Sequence, residues 1–150
     1  MTTMETLANV LTNYNLMHFA TIDADGLPCV RGVDFTLGDV DNVLYFVTHK
    51  GSRKVAQISA NPNIAFAIDK DCTNSEDLSQ LKYVKGIGTA LLIDTPEEME
   101  KAFDLLLKKF PYFADLPLPT SDLVGIKVFL KNVLVTDNSI SFGNTEEVNF

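Results

Sequence analysis

The chain has 150 residues, 46% of them hydrophobic, and its 20 Asp and Glu outnumber 12 Lys and Arg to give a formal net charge of -8. This length suits one domain with a sizeable core, so we expect a single domain over residues 1–150. The acidic balance argues against nucleic acid as a partner, since such binding generally needs a basic face. The sequence shows no signal peptide and no apolar run of about 20 residues, which predicts a cytoplasmic protein with no membrane partner.

The first 60 residues predict a helix, three antiparallel strands and a second helix. Thr2 and Glu5 form a capping-box pattern that starts the first helix. Two extended runs then meet at a D-A-D-G turn in which Gly26 can take a positive φ, which is typical of a β-hairpin. The apolar run V-L-Y-F-V-T is the third strand, and it leads to a short helix over Arg53–Ala60. This helix must end early because Pro62 disfavours helical geometry in the residue before it.

The remaining residues predict three further strands and one long helix. The strand N-I-A-F-A-I-D is followed by the polar segment Lys70–Leu81, interpreted as a loop or one helical turn. After a strand that contains two glycines, Thr95 caps the most strongly patterned helix. A proline-rich connector begins at Phe110 and leads to a sixth strand, which could be interrupted near Lys131–Asn132. We expect the tail from Gly143 onward to be loose.

This order of elements predicts a mainly β protein, a small six-stranded antiparallel barrel with helices packed on its outside. A parallel dinucleotide-binding sheet does not fit, because that fold alternates strand and helix and needs a glycine-rich first turn. The nearest match to such a turn, G-I-G-T-A, lies within a strand.

Three cations gather at the start of the second helix, in the sequence V-T-H-K-G-S-R-K. Lys50, Arg53 and Lys54 stand where the helix dipole already carries about half a positive charge, so a bound anion would relieve their repulsion. With Ser52 as the expected N-cap, this strand–loop–helix junction predicts a phosphate site. The alternative is that the long side chains cover apolar surface and keep their charges in water.

A fourth cation, Arg31, lies on the second strand among apolar residues of the same face. A buried arginine demands an anion, and its planar fork suits a phosphate. The alternative is that strand twist lets the guanidinium reach water. The adjacent Gly32 would let a flat ligand approach the backbone.

Other residue types that often carry chemistry are sparse. Cys29 and Cys72 are isolated and are interpreted as free thiols, and no metal site is predicted. The only histidines are His18 and His49, and no hydrolytic triad can be proposed from them. His18 is interpreted as a strand residue with a satisfied imidazole, whereas His49 could contact a ligand beside the cations.

The segments F-A-T-I-D-A-D-G-L-P-C-V-R-G-V-D-F and L-Y-F-V-T-H-K-G-S-R-K-V-A-Q-I-S-A-N-P resemble the pyridoxamine 5'-phosphate oxidase-like family of FMN-binding split barrels. The likeness covers about Leu16–Asp94, and the chain from there to about Gly143 agrees in the order of elements alone. Within the family, the preferred branch is that of small proteins related to nitroimidazole-resistance flavoproteins.

The resemblance implies FMN as cofactor and a homodimer with flavin at the interface. Its implied phosphate ligands are Arg31, Ser52, Arg53 and Lys54. The residues implied to line the ribityl chain and the flavin ring are Arg31, Gly32, Val33, Asp34, Val47 and Thr48. A homodimer would also explain why Ala65 and Ala67 give one strand a face that accepts only close neighbours.

Three departures from the family pattern limit the activity that is carried over. Phe35 and Thr36 stand where a true pyridoxamine phosphate oxidase has a basic residue, and no substrate-phosphate arginines follow Leu123. The helix start is S-R-K, where nitroimidazole-resistance proteins often have a Gly-His-Lys-like sequence. We therefore do not expect oxidation of pyridoxamine phosphate.

The leading hypothesis is an FMN-dependent oxidoreductase that passes electrons from a nicotinamide donor to a small planar acceptor such as a nitroaromatic or a quinone. The alternatives are a flavin-binding or haem-binding module without turnover, and a deazaflavin-dependent reductase. We expect the substrate to enter between Lys70–Leu81 and Phe110–Leu118, where Tyr112 and Phe113 offer aromatic surface. The opposing interpretation places both aromatic rings in the core.

Overall fold

The computed structural model describes residues 1–150 and contains four α-helices and eight β-strands. The helices are α1 (Thr3–Asn13), α2 (Arg53–Ala60), α3 (Ser75–Gln80) and α4 (Pro96–Lys109). The strands are β1 (Leu16–Ile22), β2 (Pro28–Asp34), β3 (Thr36–Leu37), β4 (Val43–His49), β5 (Asn63–Ile68), β6 (Lys82–Leu92), β7 (Leu123–Asp137) and β8 (Thr145–Asn149). Short 3₁₀ turns occupy Pro111–Asp115 and Thr120–Asp122. None of the helices combines the length and the apolar character needed to cross a bilayer.

All strands belong to one antiparallel sheet with the order β2-β1-β5-β6-β7-β4-β3, and β8 adds to β7. Only Phe35 separates β2 from β3, although these strands stand at opposite ends of the sheet order. The sheet must therefore curl until its two ends meet at Phe35. This gives the predicted class, a mainly β protein with a split antiparallel barrel and helices around it.

The core fills the inside of this curled sheet. Phe19 of β1 and Phe46 of β4 meet edge to face with ring centroids 5.0 Å apart, and both are fully buried. Helix α1 covers one side with Leu7, Val10 and Leu11, each of them buried. Burial of such side chains contributes about 1.5–3 kcal/mol each. The predicted first helix and its capping box between Thr2 and Glu5 are confirmed.

The longest strand pair, β6 and β7, contains a β-bulge. Ile87 lies opposite Asn132 and Gly88 lies opposite Leu130, so Lys131 is the extra residue. An interruption was predicted at this point, and the structure shows that the strand continues through it. The bulge increases local twist, which a strand that spans a curled sheet requires.

The strand count differs from the predicted six. Strand β3 has only two residues and continues β2 past Phe35, so the sequence shows the two as one run. The tail prediction is wrong, because Thr145–Asn149 pairs with β7 and Val148 packs against the core. The segment Lys70–Leu81 contains α3, whose N-cap Asn74 accepts a hydrogen bond from the Asp77 backbone N–H (2.8 Å).

Candidate functional site

The barrel is split between β2 and β4. These strands are bridged by β3, which forms only two residue pairs with β4: Thr36 lies opposite Tyr45, and Leu37 lies opposite Leu44. Strand β2 pairs with β1 along its whole length, and β4 pairs with β7 along its whole length, but β2 and β4 form no ladder with each other. The facing strand edges therefore have backbone groups free to contact a ligand. The predicted lining residues lie on these edges: Arg31, Gly32, Val33 and Asp34 on β2, and Val47 and Thr48 on β4.

Arg31 lies half-buried among neutral acceptors. Its Nη1 atom donates to Thr21 Oγ1 (2.7 Å) and to the carbonyl oxygens of Phe19 (3.3 Å) and Cys29 (3.4 Å). Its Nη2 atom donates to Gln57 Oε1 at 3.0 Å. No carboxylate balances the guanidinium, and burial lowers the pKa of Arg31. The positive charge is thus held in place without being neutralised.

Gln57 is a site residue that sequence reasoning missed. From α2 it receives both the Arg31 guanidinium and the Thr21 hydroxyl (2.5 Å), and its own Nε2 donates weakly to Cys29 Sγ (3.7 Å). It joins α2 to β1 and β2. The available signal was spacing, because Gln57 follows Lys54 by three positions and so shares its helix face.

The start of α2 has no side-chain cap. Ser52 occupies the N-cap position with extended backbone angles, as predicted, but its hydroxyl makes no capping bond. The Ser52 and Thr48 hydroxyls instead share a hydrogen bond of 3.3 Å. The prediction that the hydroxyl caps the helix is therefore wrong. The first N–H groups of α2 have no side-chain acceptor, as at helix ends that bind anions.

Two of the three predicted helix-start cations stay without an acid. Burial, and then repulsion from Arg31, lowers the pKa of Lys54. Neither Lys54 nor the exposed Arg53 has a carboxylate within 4.0 Å. Lys50 differs, because its Nζ pairs with Asp122 at 3.0 Å. The structure thus brings Arg31 and Lys54 close enough to repel each other and leaves Arg53 free beside them.

The two histidines have local partners. The exposed His49 accepts a hydrogen bond at Nδ1 from the backbone N–H of Gly51 (3.0 Å), which shapes the loop before α2. His18 lies 3.2 Å from Asp69 Oδ1, in agreement with a satisfied imidazole on a strand.

The predicted ring-lining residues have different surroundings. Gly32 is exposed, and the Leu16 side chain lies 3.0 Å from the place that a Cβ atom would take there. Val33 packs against the main core, and Val47 packs against a second cluster formed by Leu106, Phe110 and Phe113. Both valines are thus half-buried against apolar clusters, and the polar contacts described above come from other residues.

Asp34 ends β2 and accepts a hydrogen bond from the Tyr112 hydroxyl. Burial and this bond raise the pKa of Tyr112 to about 12. The bond brings the proline-rich connector to the rim of the split, as the predicted entrance requires. Of the two connector aromatics, Tyr112 is half exposed whereas Phe113 is buried, so only Tyr112 offers surface.

The other predicted border, Lys70–Leu81, lies at the end of α1. The Lys70 ammonium stands 5.3 Å from the centroid of the Tyr14 ring, and the Tyr14 carbonyl accepts a hydrogen bond from Lys109 of α4. Tyr14 therefore stands between this segment and the end of α4, just before the connector begins.

Comparison with known proteins assigns the chain to a family. A pyridoxine/pyridoxamine 5'-phosphate oxidase from Bradyrhizobium sp. (strain ORS 278) is 43% identical over 51 residues, which cover 34% of this chain and 23% of that protein. General Stress Protein 26 from Bacillus anthracis str. Sterne superposes with a TM-score of 0.71 at 20% identity over 100% of both chains. A heme binding protein from Mycobacterium smegmatis gives a TM-score of 0.78 at 17% identity, over 99% of this chain and 58% of its own. The profile described as pyridoxamine 5'-phosphate oxidase matches residues 3–129, and the chain belongs to this family.

Proposed function

We propose that the chain is an FMN-binding flavoprotein whose phosphate site is formed by Arg31, Ser52, Arg53 and Lys54. The observation that carries this proposal is the pair of half-buried cations, Arg31 and Lys54, that repel each other and have no carboxylate partner. A phosphate monoester would relieve that repulsion and accept hydrogen bonds from the start of α2.

The proposed activity is electron transfer from a nicotinamide donor to a small planar acceptor such as a nitroaromatic or a quinone. Bound flavin would supply the redox chemistry, and the protein would bind it, orient it and control access. Gly32 exposes the backbone of β2, Val33 and Val47 offer apolar surface, and Tyr112 on Asp34 would narrow the rim of the split.

Titration with FMN tests the binding proposal directly. Lys54→Ala removes one charge-assisted contact of about 1.5–3 kcal/mol, so its affinity for FMN should fall roughly tenfold to hundredfold. Lys101→Ala is the matched control, because Lys101 lies on α4 and pairs with Asp39 outside this site. An unchanged affinity in Lys54→Ala, or a wild-type protein that takes up no FMN, would overturn the assignment.

Steady-state kinetics test turnover separately. The flavin-loaded protein should oxidise NADH or NADPH when a quinone or a nitroaromatic compound is present. If FMN binds tightly but neither donor is oxidised with either class of acceptor, the protein is a flavin-binding module and the proposed oxidoreductase activity is wrong.

We further propose that two copies associate through the outer face of the sheet. Val30, Ala20, Ala65 and Ile87 lie side by side across four strands in matching register. Val30 is 70% exposed and Ile87 is 58% exposed, so this apolar row is open to a partner. A second copy would cover it and bring its own residues to the flavin, as the family resemblance implies.

Haem binding is the second candidate function, and the contact between His18 and Asp69 favours it. A histidine that ligates a metal usually has its other ring nitrogen bonded to a carboxylate or carbonyl, and Asp69 offers that contact here. Absorption spectra after addition of hemin would separate the candidates. A Soret band in the wild-type spectrum that shifts in His18→Ala would favour haem binding. If wild-type protein shows no Soret band and binds FMN tightly, haem binding is excluded.

A further inference from the structure

A second cleft lies between α1, β3 and α4. It has a volume of about 400 Å³. It combines apolar side chains, hydroxyls and an amine, and its lining includes Leu11, Thr12, Thr36, Leu37, Leu105 and Lys109. A ligand for such a surface needs an apolar body and a polar end.

The amine at this cleft is held by aromatic rings and one carbonyl. Lys109 Nζ donates to the carbonyl of Tyr14 (2.6 Å) and stands 4.2 Å from the centroid of the Phe35 ring and 5.5 Å from that of Phe110. It has no carboxylate within 4.0 Å. Of its three N–H bonds, one has a protein acceptor.

Support of α1 explains part of this arrangement. Tyr14 is the C-cap of α1, and a cation at a helix C-terminus is favourable. That role uses a single N–H bond and does not require a cleft. Lys108 also lines the cleft, but it is exposed and its charge is solvated. The partly buried Lys109 ammonium, which has no acid and only one protein acceptor, is therefore the group that can receive an anion from outside.

We propose that this cleft binds a small amphiphilic carboxylate, with its carboxylate on Lys109 and its apolar body against Leu11, Leu37 and Leu105. The cleft shares no lining residue with the proposed flavin site, although Phe35 and Asp34 lie between the two, and binding in the cleft does not depend on FMN. Burial lowers the pKa of Lys109 to about 8, against an opposing effect of Asp34, so the amine is mostly protonated at neutral pH.

Calorimetric titration with octanoate tests this site, and octanamide is the neutral comparison. At pH 7, octanoate should bind wild-type protein at least tenfold more tightly than octanamide does. Lys109→Met should abolish this preference, while Lys101→Met, which removes a lysine elsewhere on α4, should keep it. The preference should also shrink between pH 7 and pH 9.5 as Lys109 loses its proton.

A second variant covers the case in which Lys109→Met weakens α1. Thr12 is exposed at the mouth of the cleft, so Thr12→Trp should fill the cleft and prevent octanoate binding without touching the core. Three results would overturn the proposal: no octanoate binding to wild type at millimolar concentration, unchanged binding in Thr12→Trp, or displacement of octanoate by FMN. Failure of FMN to bind at all would overturn only the proposed function.

Discussion

At the residue scale, the hydrogen-bond partners of Arg31 are all neutral, so its positive charge stays available to attract an anion. A carboxylate in the place of Gln57 would neutralise the guanidinium and remove its attraction for an anion. The amide fixes the same geometry and leaves the charge in place. If the proposed phosphate binds at Arg31, Gln57 is a positioning residue that acts on it through the guanidinium.

The substitution Gln57→Glu tests this role. The new carboxylate should pair with Arg31 and repel a phosphate, so we expect FMN affinity to fall at least tenfold at pH 7. Lowering the pH toward 5 should restore part of the affinity as the carboxyl takes up a proton. Fluorescence titration with FMN measures both effects. Gln80→Glu, the same change on exposed helix α3, is the control and should leave FMN affinity unchanged.

The sequence allowed some of these residues to be predicted and concealed others. Arg31 and the cations at the start of α2 stand out because charge on an apolar strand, or at a positive helix end, is unfavourable without a partner. Gln57 shows no such conflict, since glutamine is ordinary in a helix. The contact of Tyr112 with Asp34 joins residues 78 positions apart, and nothing local specifies it.

At the element scale, α2 starts differently from the other helices. The N-caps of α1, α3 and α4 are Thr2, Asn74 and Thr95, and each accepts a hydrogen bond from a backbone N–H in its first turn. Ser52 does not, and cations rather than acids follow it. A helix start that lacks both stabilising devices is suited to receive an anion.

Alanine substitution should therefore affect stability at one N-cap position, Thr2, and FMN affinity at the other, Ser52. Thr2→Ala should lower the free energy of unfolding by about 1 kcal/mol and leave FMN affinity unchanged. Ser52→Ala should change the stability of flavin-free protein by less than about 0.5 kcal/mol and weaken FMN binding. Urea unfolding and FMN titration of both variants measure this. A loss of about 1 kcal/mol in flavin-free Ser52→Ala would mean that Ser52 caps α2 after all.

The pairing of β6 with β7 depends on two glycines of β6, where the backbone of β7 approaches closely. A Cβ atom at Gly86 would stand 2.0 Å from the carbonyl oxygen of Asn132, and one at Gly88 would stand 2.1 Å from that of Phe129. Because both clashes are with backbone, Gly86→Ala and Gly88→Ala should each cost about 3 kcal/mol or more in urea unfolding. At Gly125 the nearest atoms are flexible side-chain ends, so Gly125→Ala should cost clearly less. Equal losses at all three positions would contradict this explanation.

Helices and strands were predictable from the sequence where the hydrophobic periodicity extends over many residues. The prediction failed where only pairing with another strand makes a segment a strand. Helices α1 and α4 each have a side-chain N-cap and a stripe of apolar residues, and these two helices were predicted. Strand β8 has the sequence T-E-E-V-N, with a single apolar residue, and it is a strand because β7 offers an edge to pair with. Strand β3 is distinct from β2 only because the sheet changes its pairing partner at Phe35.

At the scale of the whole molecule, the curled sheet keeps its core inside and leaves an apolar face outside. The groove on that face has a volume of about 380 Å³, and Ala20, Ala65 and Ile87 are among its lining residues. Small residues at the centre and large ones at the sides give a surface that another sheet face can approach closely. A twofold dimer, in which the same face of each chain meets its copy, is the commonest soluble homo-oligomer.

The dimer proposal predicts that charge on this face will release flavin as well as separate the chains. Wild-type protein at micromolar concentration should have the mass of two chains in light scattering. Val30→Glu should convert it to a monomer, because two carboxylates without partners would be buried in the interface. FMN should be lost in the same variant if both chains contact each flavin. Val40→Glu, at a position that is 55% exposed in the turn between β3 and β4, should leave mass and flavin content unchanged. A monomeric wild-type protein that retains FMN would show that one chain holds the cofactor alone.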